Sequence, residues 1–234
     1  LRGSRDNPFP VADNPGVATD TPRILLTGFE PFGGDPVNPS ALVCRALQGQ
    51  RVAHATVHAV ELPCVFGRAL QVLDEALAAT SPVLVLALGL AAGRGEISVE
   101  RVAVNIDDAR IADNAGAQPV DVPVVEGGPA AWFSTLPVKA IVAALREAGL
   151  PAGVSQTAGT FVCNHVFYGL QNRLADKGVR SGFVHVPLLD TQGAAHPGLP
   201  TLPLAELVRG VRLALEVALT HEGADARIAG GAVA

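Results

Sequence analysis

The chain contains no methionine, one tryptophan, one tyrosine and three cysteines, and each shortage closes off a class of protein. Cys44, Cys64 and Cys163 are an odd number, far apart and without a C-x-x-C pair, which excludes a disulfide scaffold and fits a reduced, cytoplasmic compartment. Long apolar runs are missing too. The longest, residues 83–88, falls far short of the roughly 20 residues that a membrane-spanning helix needs, so no membrane partner is expected. Basic residues are few and scattered, 17 Lys and Arg against 22 Asp and Glu, and form no stripe for a phosphate backbone. Nucleic acid is therefore not expected as a partner. The first 22 residues carry Pro8, Pro10, Pro15 and Pro22 among Asn, Asp and Gly, and lack the apolar centre of a secretory signal. They are expected to be a disordered N-terminal extension or a cloning remnant, since even position 1 is not methionine.

With 49% of its 234 residues apolar, the chain can bury one full core without help from disulfides or metals. One domain is expected over residues 23–222, with a flexible Gly- and Ala-rich tail over 223–234. Strand-like runs at 24–28, 55–62, 83–89, 101–106, 153–157 and 182–186, several followed by helix-like segments, predict an α/β fold with a mainly parallel sheet. Helices are predicted over 41–47 behind Asn38 or Ser40, over 65–79 behind Pro63, and over 138–148 behind Pro137 with Gly149 closing the last. The clearest runs from Leu204 to Leu219, where Leu207, Val208, Val211, Leu215, Ala218 and Leu219 recur at helical spacing. Residues 107–134 break into Asp, Asn, Gly and Pro. That stretch is too long for an ordinary connection and marks a functional or mobile excursion.

Cys163 lies between Thr157-Ala-Gly-Thr-Phe-Val and Asn164-His-Val-Phe-Tyr-Gly-Leu, which reads as strand, turn and helix start. A thiol at a helix N-terminus meets unpaired N–H groups and the positive end of the dipole, which favour a thiolate and can hold an oxyanion. A buried structural cysteine is the competing reading, and it is the better one for Cys44 and Cys64. The partner base is sought among six histidines. His185, just before Pro187, is predicted at the C-terminal edge of a strand, where open α/β sheets place their sites. His165 should point elsewhere, and His54 and His58 should share a solvated strand face with no third metal ligand nearby. Candidates to orient the imidazole are Glu30, Glu100, Asp107 and Asp108. For Glu100 a surface salt bridge with Arg101 or another arginine is the default. The turns at Thr27-Gly-Phe-Glu-Pro-Phe-Gly-Gly and Leu88-Gly-Leu-Ala-Ala-Gly-Arg-Gly match neither nucleotide-binding fingerprint, while Phe29 and Phe32 offer walls for a small apolar ligand.

Taken together, Gly28-Phe-Glu-Pro-Phe with Asn38-Pro-Ser, Glu100-Arg-Val-Ala-Val-Asn with Asp107-Asp-Ala-Arg-Ile, Ser155-Gln-Thr-Ala-Gly-Thr-Phe-Val-Cys-Asn, and Gly182-Phe-Val-His-Val-Pro resemble the signature set of the type I pyroglutamyl peptidases. The resemblance runs from about Ile24 to Leu219. It implies a single-domain three-layer α/β/α sandwich with a twisted mixed, mainly parallel sheet, and homo-oligomeric assembly. It also implies a thiol-dependent omega peptidase that removes N-terminal pyroglutamate through a thioester acyl-enzyme, with no metal and no organic cofactor. The family's catalytic Cys, His and Glu fall on Cys163, His185 and Glu100. Its lactam pocket falls on Phe29, Phe32, Phe161 and Val162, with Asn38 in support and Arg110 near the reacting carbonyl. One position departs: the family often has Gln where this chain has Leu90, which puts polar support for the lactam in question. The alternatives are a nucleoside phosphorylase or hydrolase on a similar scaffold, and a catalytically silent binding homologue.

Overall fold

The computed structural model describes residues 21–231, and the expectations for residues 1–20 and 232–234 lie outside them. Seven strands form one mixed sheet in the order β2-β3-β1-β4-β9-β5-β8. In chain order these are β1 (Arg23–Phe29), β2 (Arg51–Val52), β3 (Ala55–Leu62), β4 (Leu84–Leu90), β5 (Ile97–Glu100), β8 (Ala152–Ser155) and β9 (Arg180–Val186). The strands β3, β1, β4 and β9 run parallel, and β5 is antiparallel to β9 and parallel to β8. Two short strands, β6 (Val102–Val104) and β7 (Ala131–Phe133), pair with each other outside this sheet.

Five helices cover the two faces. Alternation along β1, β4 and β9 divides the apolar side chains into two buried clusters, because successive strand residues point to opposite sides. Ile24, Leu26, Leu84, Leu86 and Val184 pack with α1 (Pro39–Leu47), α3 (Val138–Glu147) and α5 (Leu204–Thr220). Leu25, Val85, Ala87 and Phe183 pack with α2 (Arg68–Thr80) and α4 (Val162–Leu174). The result is the expected three-layer α/β/α sandwich. Each fully buried Leu or Ile in these layers contributes roughly 1.5–3 kcal/mol.

Local chemistry sets the helix starts. Asn38 caps α1 by accepting from Ser40 N–H, and Pro39 fills the first turn, where a missing N–H costs nothing. The start of α3 is capped from far away: the Asp225 carboxylate accepts from Lys139 N and Ala140 N. The segment expected to be a loose tail is thus described in contact with the domain to Gly231, and the Gly230 carbonyl also accepts from Arg101 and Gln156.

The run 101–106 was expected as one strand of the sheet. The sheet strand is instead β5, immediately before it, and Arg101 is the corner, its N–H donating to the Ser155 carbonyl. The polar residues Ser98 and Glu100 hid β5 from an apolar-run criterion, although both are buried. Residues 107–134 are held at several points. Asp107 bridges to Val122, the Asn105 amide bonds Val125 and Gly128, and β7 closes the excursion.

Candidate active site

The site lies where β4 and β9 end, beside the antiparallel β5 and the start of α4. Gly89 is the register partner of His185 between β4 and β9, and Ser98 is opposite His185 between β5 and β9. Alternate residues share a face, so Gly89, Ser98, Glu100, Phe183 and His185 all turn toward the α2/α4 layer. Glu100 is fully buried, and its Oε1 lies 2.7 Å from His185 Nδ1 and 2.7 Å from Arg94 Nη1. An ionised carboxylate can only accept. His185 therefore carries its proton on Nδ1, and Nε2 keeps a free lone pair. The imidazole is packed against the Phe183 ring at 4.9 Å between centroids, which restricts its rotation.

Cys163 is the second residue of α4, whose N-cap is Phe161. A phenylalanine side chain cannot accept the N–H groups of the first turn, and no side-chain hydrogen bond caps this helix. Those donors are left at the sulfur's own end of the helix. The thiol sits against Gly89, where an added β-carbon would be 2.8 Å from Cys163 Sγ and 2.9 Å from Phe183 Cζ. Glycine is required because the α4 start approaches the strand backbone this closely. Burial, the nearby Cys64 and the Glu100 carboxylate push the Cys163 thiol up, while Arg94 pulls it down. The thiol is thus the favoured resting form, and a base must take its proton during attack.

Phe29 is buried at the end of β1 among Leu62, Cys64 and Val162, and its N–H donates to Ser40 Oγ. Phe32 is half-buried with its ring 6.2 Å from that of Phe161. Val162 is fully buried behind Cys163. Asn38 Nδ2 donates to the Glu30 carbonyl, closing the loop that carries Phe32. Leu90 lies opposite Val186, in the alternating row of Leu84, Leu86 and Leu88 on the other side of the sheet from Gly89. Arg110 is exposed and makes no hydrogen bond or ion pair among the described residues.

Of the default expected for Glu100, a surface salt bridge with Arg101 or another arginine, the second partner is found but not at the surface: Glu100 is buried, its arginine is Arg94, and Arg101 instead bonds the Gly230 carbonyl. His54 and His58 do not share a strand face either, since His54 sits in the turn before β3. His165 has a separate set of partners. Its Nδ1 bonds Asp107 Oδ2 at 2.7 Å, and its Nε2 accepts from Gly67 N. Glu30 and Asp113 likewise serve the backbone of the Cys64–Phe66 turn. The sequence reading missed Arg94, Asp113 and Phe66, whose ring lies 5.4 Å from Phe161 and 5.3 Å from His165. For Arg94 a signal existed, a lone cation in the glycine turn between two strands. Its partner, 6 residues on, is fixed only by the fold.

Comparison with known proteins points the same way. The family model described as Pyroglutamyl peptidase matches residues 22–221. The pyrrolidone-carboxylate peptidase of Cupriavidus taiwanensis is 58% identical over 213 residues, 90% of this chain and 98% of that protein. That of Klebsiella pneumoniae is 58% identical over 210 residues, covering 89% and 98%. Among solved structures, pyroglutamyl peptidase I from Bacillus amyloliquefaciens superimposes with a TM-score of 0.86 at 41% identity, covering 89% of this chain and 99% of that one. A variant of pyrrolidone carboxyl peptidase from Pyrococcus furiosus gives 0.82 at 42% identity, covering 84% and 98%. With a family match across nearly all of the described residues and relatives this similar over almost their whole length, the chain belongs to the pyroglutamyl peptidase family.

Proposed function

We propose that residues 23–222 form a peptidase domain that hydrolyses the bond after an N-terminal pyroglutamyl residue, with Cys163 as nucleophile, His185 as base and Glu100 as the carboxylate that orients it. The observation that carries this reading is the position of Cys163 Sγ against Gly89, the strand partner of His185, whose Nδ1 is bonded to Glu100.

The thiol proton passes to His185 Nε2 as sulfur attacks the pyroglutamyl carbonyl, and Glu100 stabilises the imidazolium. The first-turn N–H groups of α4 hold the oxyanion, with the exposed Arg110 as a second donor. The C–N bond breaks as the imidazolium returns its proton to the leaving amine, leaving a thioester. His185 then deprotonates water, which attacks the thioester and releases pyroglutamate and the thiol. No metal or organic cofactor enters these steps.

Phe29, Phe32, Phe161 and Val162 supply the apolar walls for the lactam ring, Asn38 holds the Phe32 loop, and the Leu90 backbone supplies polar support where its side chain does not. The enzyme acts in the cytoplasm as a homo-oligomer. Three free cysteines support the first point, and the exposed Val120, Val122 and Phe133 support the second.

Pyroglutamate is a neutral lactam, and these walls offer no partner for an ammonium group. Burying one there would cost at least several kcal/mol, so a peptide beginning with free glutamate should be cleaved at least about 10³-fold less efficiently. The test is kcat/KM for pyroglutamyl and glutamyl versions of one chromogenic amide. Comparable values would refute a neutral pocket.

A further inference from the structure

Glu100 is the only acidic residue bonded to His185 among the described residues, and it is fully buried. A carboxylate taken out of water needs partners for its oxygens, and one that is to stabilise an imidazolium must hold an oxygen aimed at Nδ1. The molecule contains a specific answer to that problem. Arg94, one-third exposed, leans into the site from the turn between β4 and β5 and places Nη1 2.7 Å from Oε1, the same oxygen that meets His185. Its Nη2 reaches the Thr157 carbonyl at 3.3 Å, on the segment that leads from β8 into Cys163. The turn permits this because Gly93 adopts φ +91°, which reverses the chain just before Arg94.

One guanidinium therefore ties together the end of β5, the turn after β4 and the approach to α4. The second carboxylate oxygen, Oε2, has no partner among the described residues, so His185 and Arg94 together make all the hydrogen bonds of the Glu100 carboxylate there. We propose that Arg94 is a positioning residue of the peptidase reaction, holding the Glu100 carboxylate in place with its Oε1 directed at His185 Nδ1, and so acting on Cys163 through the imidazole.

This rests on the Cys163–His185–Glu100 reading above. A guanidinium does this better than an ammonium, because its planar fork can bond a carboxylate and a carbonyl at once. Burial acts most strongly on the Cys163 thiol, pushing it up, and Cys64 and Glu100 push it the same way while Arg94 pulls it down, which gives the proposal a second readout.

The experiment compares Arg94→Met, Arg94→Lys, Glu100→Gln and the double variant Arg94→Met/Glu100→Gln with the parent on a chromogenic pyroglutamyl amide, and measures the pH dependence of Cys163 alkylation by iodoacetamide. Arg94→Met should lower kcat by about 10–100-fold, as loss of a supporting partner does in comparable sites, with KM within about threefold. The alkylation midpoint should move to higher pH, and Arg94→Lys should recover part of both losses. In the Glu100→Gln background, removing Arg94 should cost less than about threefold more, because its effect passes through the carboxylate. If Arg94→Met does not fold, Arg94→Lys decides, alone and combined with Glu100→Gln. A folded Arg94→Met with kcat within twofold of the parent and an unmoved midpoint would overturn the proposal, as would full additivity with Glu100→Gln. If Cys163→Ala or His185→Ala retained turnover, the underlying reading would fail instead, so the two failures are distinct.

Discussion

Replacing Gly89 with alanine tests the site more sharply than removing a reactive group, because it adds one methyl and takes nothing away. The new β-carbon would stand 2.8 Å from Cys163 Sγ, 2.9 Å from Phe183 Cζ and 3.0 Å from Phe183 Cε1. Ordinary contact begins near 3.4 Å, so the sulfur must retreat by about 0.6 Å and the ring by about 0.5 Å. Phe183 is fully buried between α4 and the sheet and leans on His185, so the ring has little room and the sulfur takes more than its share. The nucleophile is displaced. Overpacking of this kind costs about 1–3 kcal/mol in stability. Misplacing a nucleophile by a large fraction of an ångström costs on the order of tenfold to 10²-fold in rate. Gly89→Ala should accordingly lower kcat for a chromogenic pyroglutamyl amide by about 10–100-fold, slow alkylation of Cys163, and reduce Tm modestly. Gly210→Ala is the matched control. Its methyl would crowd Ile97 Cδ1 at 2.4 Å, in the other apolar layer, and should leave kcat near the parent value. A Gly89→Ala protein that folds and turns over within twofold of the parent would refute the placement of the thiol against this strand.

Cys163→Ala and Cys163→Ser should abolish turnover with the fold intact, whereas Cys44→Ser and Cys64→Ser should keep most of it; near-normal rates from Cys163→Ala would sink the mechanism. The Cys64 thiol is pushed from 9.0 up to about 12 by burial and by Glu30 and Asp113. Since it ionises later folded than unfolded, its contribution to stability is full below about pH 9 and lost as pH rises from there toward about 12. Thermal unfolding of Cys64→Ala should therefore lose less stability than the parent across that window, and equal losses would contradict the assignment. His165→Ala would leave buried Asp107 and the Gly67 N–H without their partner, and should cost about 3–5 kcal/mol in denaturant melts while harming kcat less than His185→Ala. Equal inactivation of the two, with both folded, would make the choice of base unsafe.

Much of this protein could be read without coordinates. Near-continuous apolar runs in β1, β4 and β9 and helical spacing in α5 specify an α/β sandwich, because a strand covered on both faces is apolar along its length and a helix covered on one side is apolar at its own period. Cys163 at a helix start and His185 at a strand end were visible for the same reason, since turn, cap and strand signals are local. The orienting carboxylate was not. Glu30, Glu100, Asp107 and Asp108 stood equal on residue chemistry, and only the resemblance favoured Glu100. The structure adds the physical ground: antiparallel pairing of β5 with β9 sets Ser98 opposite His185 and so turns Glu100 onto the same face. The same pairing recruits Arg94, and the approach of α4 to β4 makes Gly89 indispensable. Local sequence thus signalled most of the elements and offered the candidate reactive groups. Which of those groups meet was decided by strand register, a long-range property that no window of sequence contains.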